Sequence, residues 1–501
     1  MKKVISVYIL LLLVLTSAAG QYSSKQEMRA AWVATVSNVD WPSKPGLSVA
    51  DQQAEFDNLI KVFKQYNLNT IVFQVRPSAD AFYESRLEPW SRWLTGEQGK
   101  APEPYYDPLD YAIKKCRQEG LDVHVWLNPY RAVSDTSHTV VPDHITKQHP
   151  EWFITYGRTK YFNPGLQETR NFVASVVSDI VRRYDIDAVH MDDYFYPYRI
   201  AKLEFPDDSA FRANPNGFAP DKKDDWRRNN VDLIIKQIHD SIKVIKPWVE
   251  FGIAPFGVWR NSDKDPSGSA TRAGVTNYDD LYADILKWQK EGWIDYVTPQ
   301  LYWERGMKAA DYTVLADWWS KNSYGCQIFV GQAPYRVSRK SSNRHWRKAS
   351  EIIGQVKLNR SLPGIDGSMF FSAKSLKNNP RHLMEKLTRS LYRYPALTPV
   401  NNRITPVIPD MPGNAVISSA GEMITLNWTK GNDTKNFVVY RFRKGKTADM
   451  GNPANIFAVT ASTSLTFKKD KNTDPEKYTY YVTSRSYTNL ESAPQYFTIS
   501  N

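Results

Sequence analysis

Cysteine and long apolar runs are both scarce in this chain. Only two of its 501 residues are cysteines. Cys116 and Cys326 both fall in apolar segments far apart in the chain, which predicts two isolated structural thiols rather than a disulfide. No Cys/His cluster has the spacing of a zinc site. After residue 15 no apolar run reaches the roughly 20 residues that a membrane-spanning helix needs.

The first 20 residues have the pattern of a cleaved secretory signal. Two lysines precede an apolar run from Val4 to Leu15, and small residues follow as far as Gly20. The alternative is a membrane anchor, for which the run is too short. No cysteine follows, so the acylation site of a lipoprotein is missing. The sequence predicts an exported protein, periplasmic or extracellular, whose mature chain begins near Gln21.

The charge balance predicts an anionic environment. The formal net charge is +12 at pH 7, which favours a cell envelope, an acidic glycan or nucleic acid as surroundings. No basic run is dense enough to argue for nucleic acid, and export argues against that partner. We therefore expect a polysaccharide as the partner, with no cofactor.

Eight short β-rich runs recur along the chain, each followed by a polar or aromatic tail and then an amphipathic segment. Strand and helix alternating eight times over about 360 residues predicts an α/β fold, a (β/α)8 TIM barrel. A doubly wound open sheet is the alternative. The count of eight and the absence of a glycine-rich phosphate turn after the first strand favour the barrel. The runs begin at Arg29, Thr70, Asp122, Asp187, Glu250, Asp295, Cys326 and Gly367.

The composition and the pattern of apolar residues change after Tyr394. The next segment is rich in proline and is typical of a linker. Beyond it, alternating segments such as "MITLNWT" and "YTYYVTSRS" predict a small all-β sandwich that resembles a fibronectin type III module. We expect it to act as a spacer or docking module. The predicted parts are a signal peptide at 1–20, the barrel at 27–395, the linker at 396–412 and the sandwich at 413–501.

The stretch "DIDAVHMDDYFYPY", residues 185–198, ends an apolar run with two aspartates and several rings. Side chains of a barrel strand alternate between the interior and the helix layer. This alternation places Ala188, His190 and Asp192 on the inner face. Asp192 then lies at the carboxyl end of the fourth strand, which is the end where barrel enzymes build their active sites.

The same alternation lines the mouth of the barrel with amides, charged groups and aromatic rings. It also places Trp126 of the third run and Thr298 of the sixth on the inner face. Amides and carboxylates match sugar hydroxyls, and flat rings stack on the apolar faces of pyranoses. The mixture therefore predicts a glycan site. The predicted substrate-binding residues are Arg76, Asp80, Asn128, Tyr130, Asp193, Tyr194, Tyr196, Gln300, Tyr302 and Trp303.

Hydrolysis of a glycosidic bond typically uses two carboxyl groups. Asp192 is the predicted nucleophile or stabilising carboxylate. Glu304, after the sixth strand, is the predicted general acid, because Tyr302 and Trp303 would desolvate it and raise its pKa. The ends of the fourth and sixth strands lie on the order of 9 to 10 Å apart. That spacing is compatible with either retention or inversion.

Other acids compete for these roles. Asp193 either orients Asp192, caps the following loop or is itself catalytic. Asp80 and Glu84 follow the second strand and are rival acids. Adjacent aspartates also bind divalent ions, but no third or fourth ligand is evident in the sequence. We therefore expect no metal.

Three side chains near the predicted mouth have structural alternatives. Glu304 has a cation beside it in the sequence, Arg305, and would form a surface ion pair with it or with another surface cation. Arg76 would neutralise Asp192 and so lower its pKa. His190 lies below the mouth, and we expect a hydrogen-bonded core residue rather than a base.

Five blocks of the chain, in order, resemble the glycosyl-hydrolase-like family 10. They are "MRAAWVATVSNVDWPS", "FQVRPSADAFYESRLEPWS", "WLNPYR", "HMDDYFYP" and "PQLYWE". The resemblance covers residues 27–395 and implies an exported bacterial barrel enzyme with a catalytic candidate at Asp192. Characterised relatives cleave peptidoglycan glycan strands stripped of stem peptides. Relatives are often lipoproteins, but this chain lacks the cysteine for acylation.

The sequence thus predicts a glycoside hydrolase acting on a cell-wall glycan by two-carboxylate catalysis. One alternative is a hydrolase of another polysaccharide, used in nutrient acquisition. Another is a non-catalytic glycan-binding envelope protein on the same barrel.

Overall fold

The computed structural model describes residues 24–193 and 195–499. The predicted signal peptide, residues 1–20, lies outside the described residues, and so does Tyr194. Within the described ranges, no helix has the length and apolar character required to cross a bilayer.

Eight parallel strands close into a barrel, which confirms the predicted fold class. Each strand pairs with its neighbours in chain order, and β1 pairs with β8 to close the ring. The closure excludes the open doubly wound sheet. The strands are β1 (Met28–Val33), β2 (Thr70–Arg76), β3 (Asp122–Leu127), β4 (Ala188–Met191), β5 (Glu250–Ile253), β6 (Tyr296–Val297), β7 (Gln327–Gln332) and β8 (Gly367–Phe370).

A helix follows each strand and packs its apolar face on the outer face of the barrel. Polar side chains fix several helix starts; the Asp107 carboxylate, for example, accepts the backbone N–H groups of Leu109 and Asp110. The principal helices are Val49–Gln65, Pro108–Gln118, Gln167–Arg183, Lys223–Ile245, Ile285–Lys290, Tyr312–Lys321, Ser350–Ser361 and Leu383–Arg389. Shorter ones are Arg92–Thr95, Ile145–Gln148, Asp208–Ala213, Asn277–Asp280 and Ala373–Asn378.

The barrel interior is filled by side chains rather than open. The Tyr296 hydroxyl lies 2.9 Å from Nδ1 of both His124 and His190. Gly252 leaves room for this ring, since a Cβ there would lie 2.0 Å from it. Trp32 Nε1 donates to His190 Nε2 at 3.0 Å, so a neutral His190 carries its proton on Nδ1. His190 is therefore a buried, hydrogen-bonded core residue, as predicted, and burial lowers its pKa well below the usual value.

An additional small sheet rises from the carboxyl end of β3. Its three antiparallel strands are Arg131–Val133, Phe153–Tyr156 and Thr159–Phe162. Because it follows a barrel strand, it lies on the same rim as the loops after β2 and β4. The rim is therefore built mainly from long connections that leave the carboxyl ends of the strands.

The predicted all-β module is present as two four-stranded sheets packed on one core. Trp428, Phe437 and Tyr480 are buried between them. One sheet contains Ser464–Lys468, Met423–Thr429, Gly413–Ala420 and Thr498–Ile499. The other contains Ile456–Thr460, Asn436–Arg443, Tyr478–Arg485 and Gln495–Tyr496.

A buried ion cluster joins this sandwich to the barrel. Asp122, at the start of β3, pairs with Arg485 at 2.6 Å and with Lys435 at 3.1 Å. Asp187, just before β4, pairs with the same lysine at 3.1 Å and with Arg117 at 2.7 Å. All five side chains are buried. Since β3 and β4 begin here, the sandwich covers the barrel end opposite the mouth.

The segment 396–412 crosses the same end of the barrel and bonds to it. Thr398 donates to Asp122 at 2.6 Å, and Asn401 donates to Glu250 at 3.4 Å. The Arg403 guanidinium donates to three backbone carbonyls of the barrel domain. The segment therefore holds the sandwich against the barrel through specific contacts.

The two cysteines are unpaired and buried, which confirms the prediction of isolated structural thiols. Burial raises the pKa of both Cys116 and Cys326. A thiol with a raised pKa carries little thiolate at neutral pH and reacts slowly.

Glu250, at the start of β5, is a buried acid at the barrel end that the sandwich covers, and it should make the stability of the protein depend on pH. Burial, followed by the nearby Asp295 charge, raises its pKa to about 8. A raised carboxyl pKa gives stability at low pH that is lost as the pH rises through 8. We expect the unfolding free energy of Glu250→Gln, relative to that of wild type, to rise by about 1.4 kcal/mol per pH unit between about pH 4.3 and 8.

Urea unfolding at pH 5, 6 and 7 measures this difference in unfolding free energy. Glu422→Gln is the control, because Glu422 is 76% exposed in its ion pair, and its difference from wild type should stay constant. A constant difference for Glu250→Gln as well would contradict the expectation.

Candidate active site

Asp192 lies directly after β4, at the carboxyl end of the barrel. Its carboxylate accepts hydrogen bonds from Trp126 Nε1 at 3.3 Å and from Asn128 Nδ2, 3.3 Å from each oxygen. Trp126 lies on the inner side of β3, and Asn128 directly follows that strand. The side-chain oxygen of Asn128, Oδ1, itself accepts a hydrogen bond from the backbone N–H of Arg131 at 2.9 Å. Donors from β3 and from the residue after it therefore hold the Asp192 carboxylate at the carboxyl end of the barrel.

Asp193 turns toward β6 rather than down the axis. The Tyr198 hydroxyl donates to its carboxylate, and the Gln300 side chain also bonds to it. Gln300 in turn donates to the Ala254 carbonyl at 2.9 Å. Burial raises the pKa of Asp193 to about 6, although these hydrogen bonds oppose the shift. The site thus contains a second buried acid, which keeps its proton up to about pH 6.

Glu304 has a different environment from the one predicted. Asn343 donates to one of its oxygens at 2.6 Å, and Trp346 donates to the other at 3.0 Å. Burial raises its pKa, but its own backbone N–H and these two donors outweigh burial, so the pKa is lowered. The expected raised pKa is therefore wrong. The expected ion pair with Arg305 is also wrong, because that guanidinium bonds to Glu351 at 3.2 Å.

Arg76 does not reach the mouth. Its guanidinium forms two hydrogen bonds to Glu88, at 2.7 and 2.6 Å, and a third to the Asn128 carbonyl at 2.5 Å. The side chain is fully buried. The pairing of β2 with β3 shifts register between Gln74 and Arg76, so simple alternation fails at this position. The structural cation predicted here exists, but its partner is Glu88 rather than Asp192.

Two of the predicted tyrosines are buried behind the rim. Tyr130 and Tyr196 are 0% and 1% exposed and belong to the outer core between barrel and helices. Tyr196 packs edge-on against Phe205 and Tyr282. Burial raises the pKa of both phenols. Neither ring presents a face to a sugar.

The rival acids after β2 have other partners. Asp80 is 4% exposed, and burial raises its pKa to about 6 while a bond from Ser91 opposes the shift. Glu84 is exposed and pairs with Arg183 at 3.5 Å, at the end of a helix. Sequence position alone does not distinguish these acids from those after β4.

Aromatic rings extend from the barrel axis to one side of the mouth, beginning at a buried ring, Trp32, and ending at an exposed one, Tyr335. Trp32 lies against Phe371, with ring centroids 6.1 Å apart. Phe371 contacts Tyr302 and Tyr335, both at 6.2 Å, and the two tyrosines lie 6.3 Å apart. We call Trp32, Phe371, Tyr302 and Tyr335 the aromatic strip. It offers ring surface of the kind that sugars stack on.

Trp303 belongs to the neighbouring wall. Its ring meets Phe256 edge-on at 5.4 Å, and Gly257 allows the close approach, since a Cβ there would lie 2.6 Å from the indole. Trp303 is half-buried. It therefore supports the loop after β6.

Several residues of the site were not anticipated from the sequence. Trp126 was assigned to the inner face but not to Asp192, and Tyr198 was not singled out. Asn343 and Trp346 lie in the loop after β7, where the sequence offers no periodic signal. Within the part of the chain that the structure describes, no group of three or more His, Cys, Asp and Glu side chains is arranged to hold a metal ion.

A family profile and two relatives of this chain carry the same description, glycosyl hydrolase. The sequence profile of the family described as glycosyl hydrolase-like 10 matches residues 27–348. Glycosyl hydrolase YngK of Bacillus subtilis (strain 168) is 42% identical over 483 residues, covering 94% of this chain and 92% of that protein. Glycosyl hydrolase DigH of Escherichia coli (strain K12) is 36% identical over 382 residues, covering 72% and 85%.

Proposed function

The chain belongs to the glycosyl hydrolase-like 10 family and is a glycoside hydrolase, and from that premise we propose that it cleaves the glycan strands of cell-wall peptidoglycan. The observation that carries this proposal is the pair of buried acids after β4, on the same rim as the aromatic strip. The positive net charge suits an anionic envelope.

We assign the proton-donor role to Asp193 rather than to Glu304. A general acid works best when its pKa lies near the working pH, and the pKa of Asp193 is raised to about 6. Glu304 has a lowered pKa, and both of its oxygens accept hydrogen bonds from the loop after β7. This supports an anchoring role for Glu304.

The reaction then has two carboxyl groups in distinct states. Asp193 transfers its proton to the glycosidic oxygen as the bond to the anomeric carbon breaks. Asp192, which accepts bonds from Trp126 and Asn128, stays ionised and stabilises the positive charge that develops on the sugar. Water then attacks the anomeric carbon and returns a proton to the Asp193 carboxylate, so the sum is hydrolysis.

The pH dependence tests this assignment. Because Asp193 must be protonated in the free enzyme, we expect kcat/KM to fall as the pH rises above about 6. Asp193→Asn should lose this limb and lose on the order of 10²-fold in kcat on glycan strands. An aryl glycoside with a good leaving group needs less protonation, so its loss should be smaller. Glu304→Gln is the comparison, and a larger, leaving-group-dependent loss there would return the acid role to Glu304.

The substrate is tested with purified glycan strands, with and without stem peptides. Mass spectrometry of the products identifies the bond that is cut. We expect cleavage of the peptide-free strands. The second candidate, a hydrolase of another polysaccharide, predicts cleavage within a panel of other glycans and none of peptidoglycan strands.

A further inference from the structure

The loop after β7 is strongly basic. Between Tyr335 and Lys348 there are six lysines and arginines and no acid. All six are exposed, and within residues 24–193 and 195–499 none of them forms an ion pair with a carboxylate. They are Arg336, Arg339, Lys340, Arg344, Arg347 and Lys348. Unpaired cations of one sign concentrate positive potential on this side of the mouth.

Part of this loop folds around an open cavity of ≈ 450 Å³. Arg336 and Lys340 line it, together with serine hydroxyls and the rings of Tyr335 and Trp346. The Arg336 guanidinium lies 6.0 Å from the Tyr335 ring and 5.7 Å from the Trp346 ring. Stacking of this kind pre-orients an arginine while leaving N–H groups available for a carboxylate.

The cavity adjoins the aromatic strip. Tyr335 lines the cavity and is also the outer end of the aromatic strip. The inner end, Trp32, donates to His190, two residues before Asp192 on β4. A glycan lying on the strip with one bond at Asp192 would therefore extend toward the cavity.

The cavity is also held in shape. Trp346 and Asn343 both donate to Glu304, which fixes the loop after β7 to the loop after β6. Arg347 donates to the Ser341 carbonyl at 2.9 Å, closing the loop on itself. The basic side chains thus project from an anchored backbone.

We propose that this cavity is a subsite for a carboxylate carried by a sugar of the glycan, bound by Arg336 and Lys340. The inference rests on the proposed function, because it assigns a substrate feature to the same mouth. The shared chemistry is a sugar carboxylate, supplied either by the lactyl ether of muramic acid or by a uronic acid. On peptidoglycan the lactyl carboxylate is free only after the stem peptide is removed, since the peptide converts it to a neutral amide.

The test compares two double variants that lose the same charge. Arg336→Gln with Lys340→Gln removes the cations that line the cavity. Lys444→Gln with Lys446→Gln is the control, because both lysines are exposed on the sandwich, at the opposite end of the barrel. Each protein is assayed on peptide-free strands, on the same strands with carboxyls reduced to alcohols, and on a polyuronate.

We expect the cavity variant to raise KM on peptide-free strands by about 10-fold, the scale of a charge-assisted contact, and the control to match wild type. On carboxyl-reduced strands the cavity variant and wild type should be equal, which also shows that the variant is folded. The same pattern on the polyuronate alone would support the subsite and identify a uronic acid as its ligand. Equal KM values for cavity variant and wild type on every carboxylate substrate would overturn it, as would an equal loss on reduced and unreduced strands.

Failure of the proposed function gives a different result. If wild type cuts none of these substrates, binding of the strands is measured by calorimetry on the same proteins. Carboxylate-dependent binding that the cavity variant loses would support the subsite while ending the proposed reaction. Binding that does not depend on the carboxylate would overturn the subsite.

Discussion

Asp192→Asn is expected to lower kcat on glycan strands by on the order of 10³- to 10⁴-fold. The substitution removes the negative charge that stabilises the developing positive charge on the sugar. It keeps the size of the side chain, so the mouth and the aromatic strip should remain in place. Affinity for the glycan should therefore change far less than turnover.

The environment of Asp192 also predicts a modest cost in stability. The carboxylate accepts from two donors, Trp126 and Asn128. An asparagine there offers one acceptor oxygen and one NH₂ group. Its NH₂ group would therefore face an N–H donor of Trp126 or Asn128. We expect a loss of about 1 kcal/mol in the free energy of unfolding, too little to unfold the protein.

Kinetics on glycan strands measure the loss of turnover of Asp192→Asn, and calorimetric binding measures its affinity for the glycan. The control is Asp80→Asn, which alters another buried acid, one that is hydrogen-bonded to Ser91. Its kcat should stay within tenfold of wild type. An Asp192→Asn protein with turnover within tenfold of wild type would refute the assignment of Asp192 as the stabilising carboxylate.

Arg485→Met is expected to lower the free energy of unfolding by about 3 to 5 kcal/mol. Arg485 comes from the sandwich and donates to Asp122 and Thr398, at 2.6 and 2.5 Å. Its removal leaves a buried carboxylate with one of its nearest cations gone. The loss reports the cost of that unbalanced charge rather than the net contribution of the ion cluster.

The matched control is Lys468→Met in the exposed pair with Glu422, whose side chains are 71% and 76% exposed. Exposed pairs contribute about 0 to 1 kcal/mol, so the control should unfold almost like wild type. Denaturant titration measures both variants. Equal stabilities for the two would show that the sandwich does not depend on the buried cluster.

The same cluster predicts the direction of acid sensitivity. Burial alone would raise the pKa of Asp122, but Arg485, Lys435 and Arg117 together hold it well below the usual range. A depressed carboxyl pKa gives stability that is present above the unfolded value, about 3.9, and is lost as the pH falls below it. Removing Arg485 should weaken this dependence. The folded variant should retain its kcat, because the cluster lies at the barrel end opposite the mouth.

Local alternation predicted much of the barrel interior. It placed His190 inside β4, Thr298 after β6 and Trp126 inside β3, and the contacts of these side chains agree. It failed at Arg76, where a register shift after Gln74 redirects the chain. A bulge of this kind leaves no signal in the pattern of apolar residues.

Alternation also ends where the strands end. Tyr130 and Tyr196 follow their strands by several residues, and loop packing turns both into the outer core. Glu304 was expected to have a pKa raised by Tyr302 and Trp303, but the donors that lower its pKa come from the loop after β7. Neither result follows from residue type or spacing.

The sequence by itself determined the eight strand–helix units, the sandwich and the acids at the end of β4, because each of these depends on periodicity within a few residues. Only the tertiary structure decided which partner each charge has. Arg76 bonds to Glu88, Glu304 to Trp346, and Asp122 to an arginine 363 positions away. Ion pairs and hydrogen bonds act over a few ångströms in space, and chain closure brings together residues whose separation in sequence carries no information about that distance.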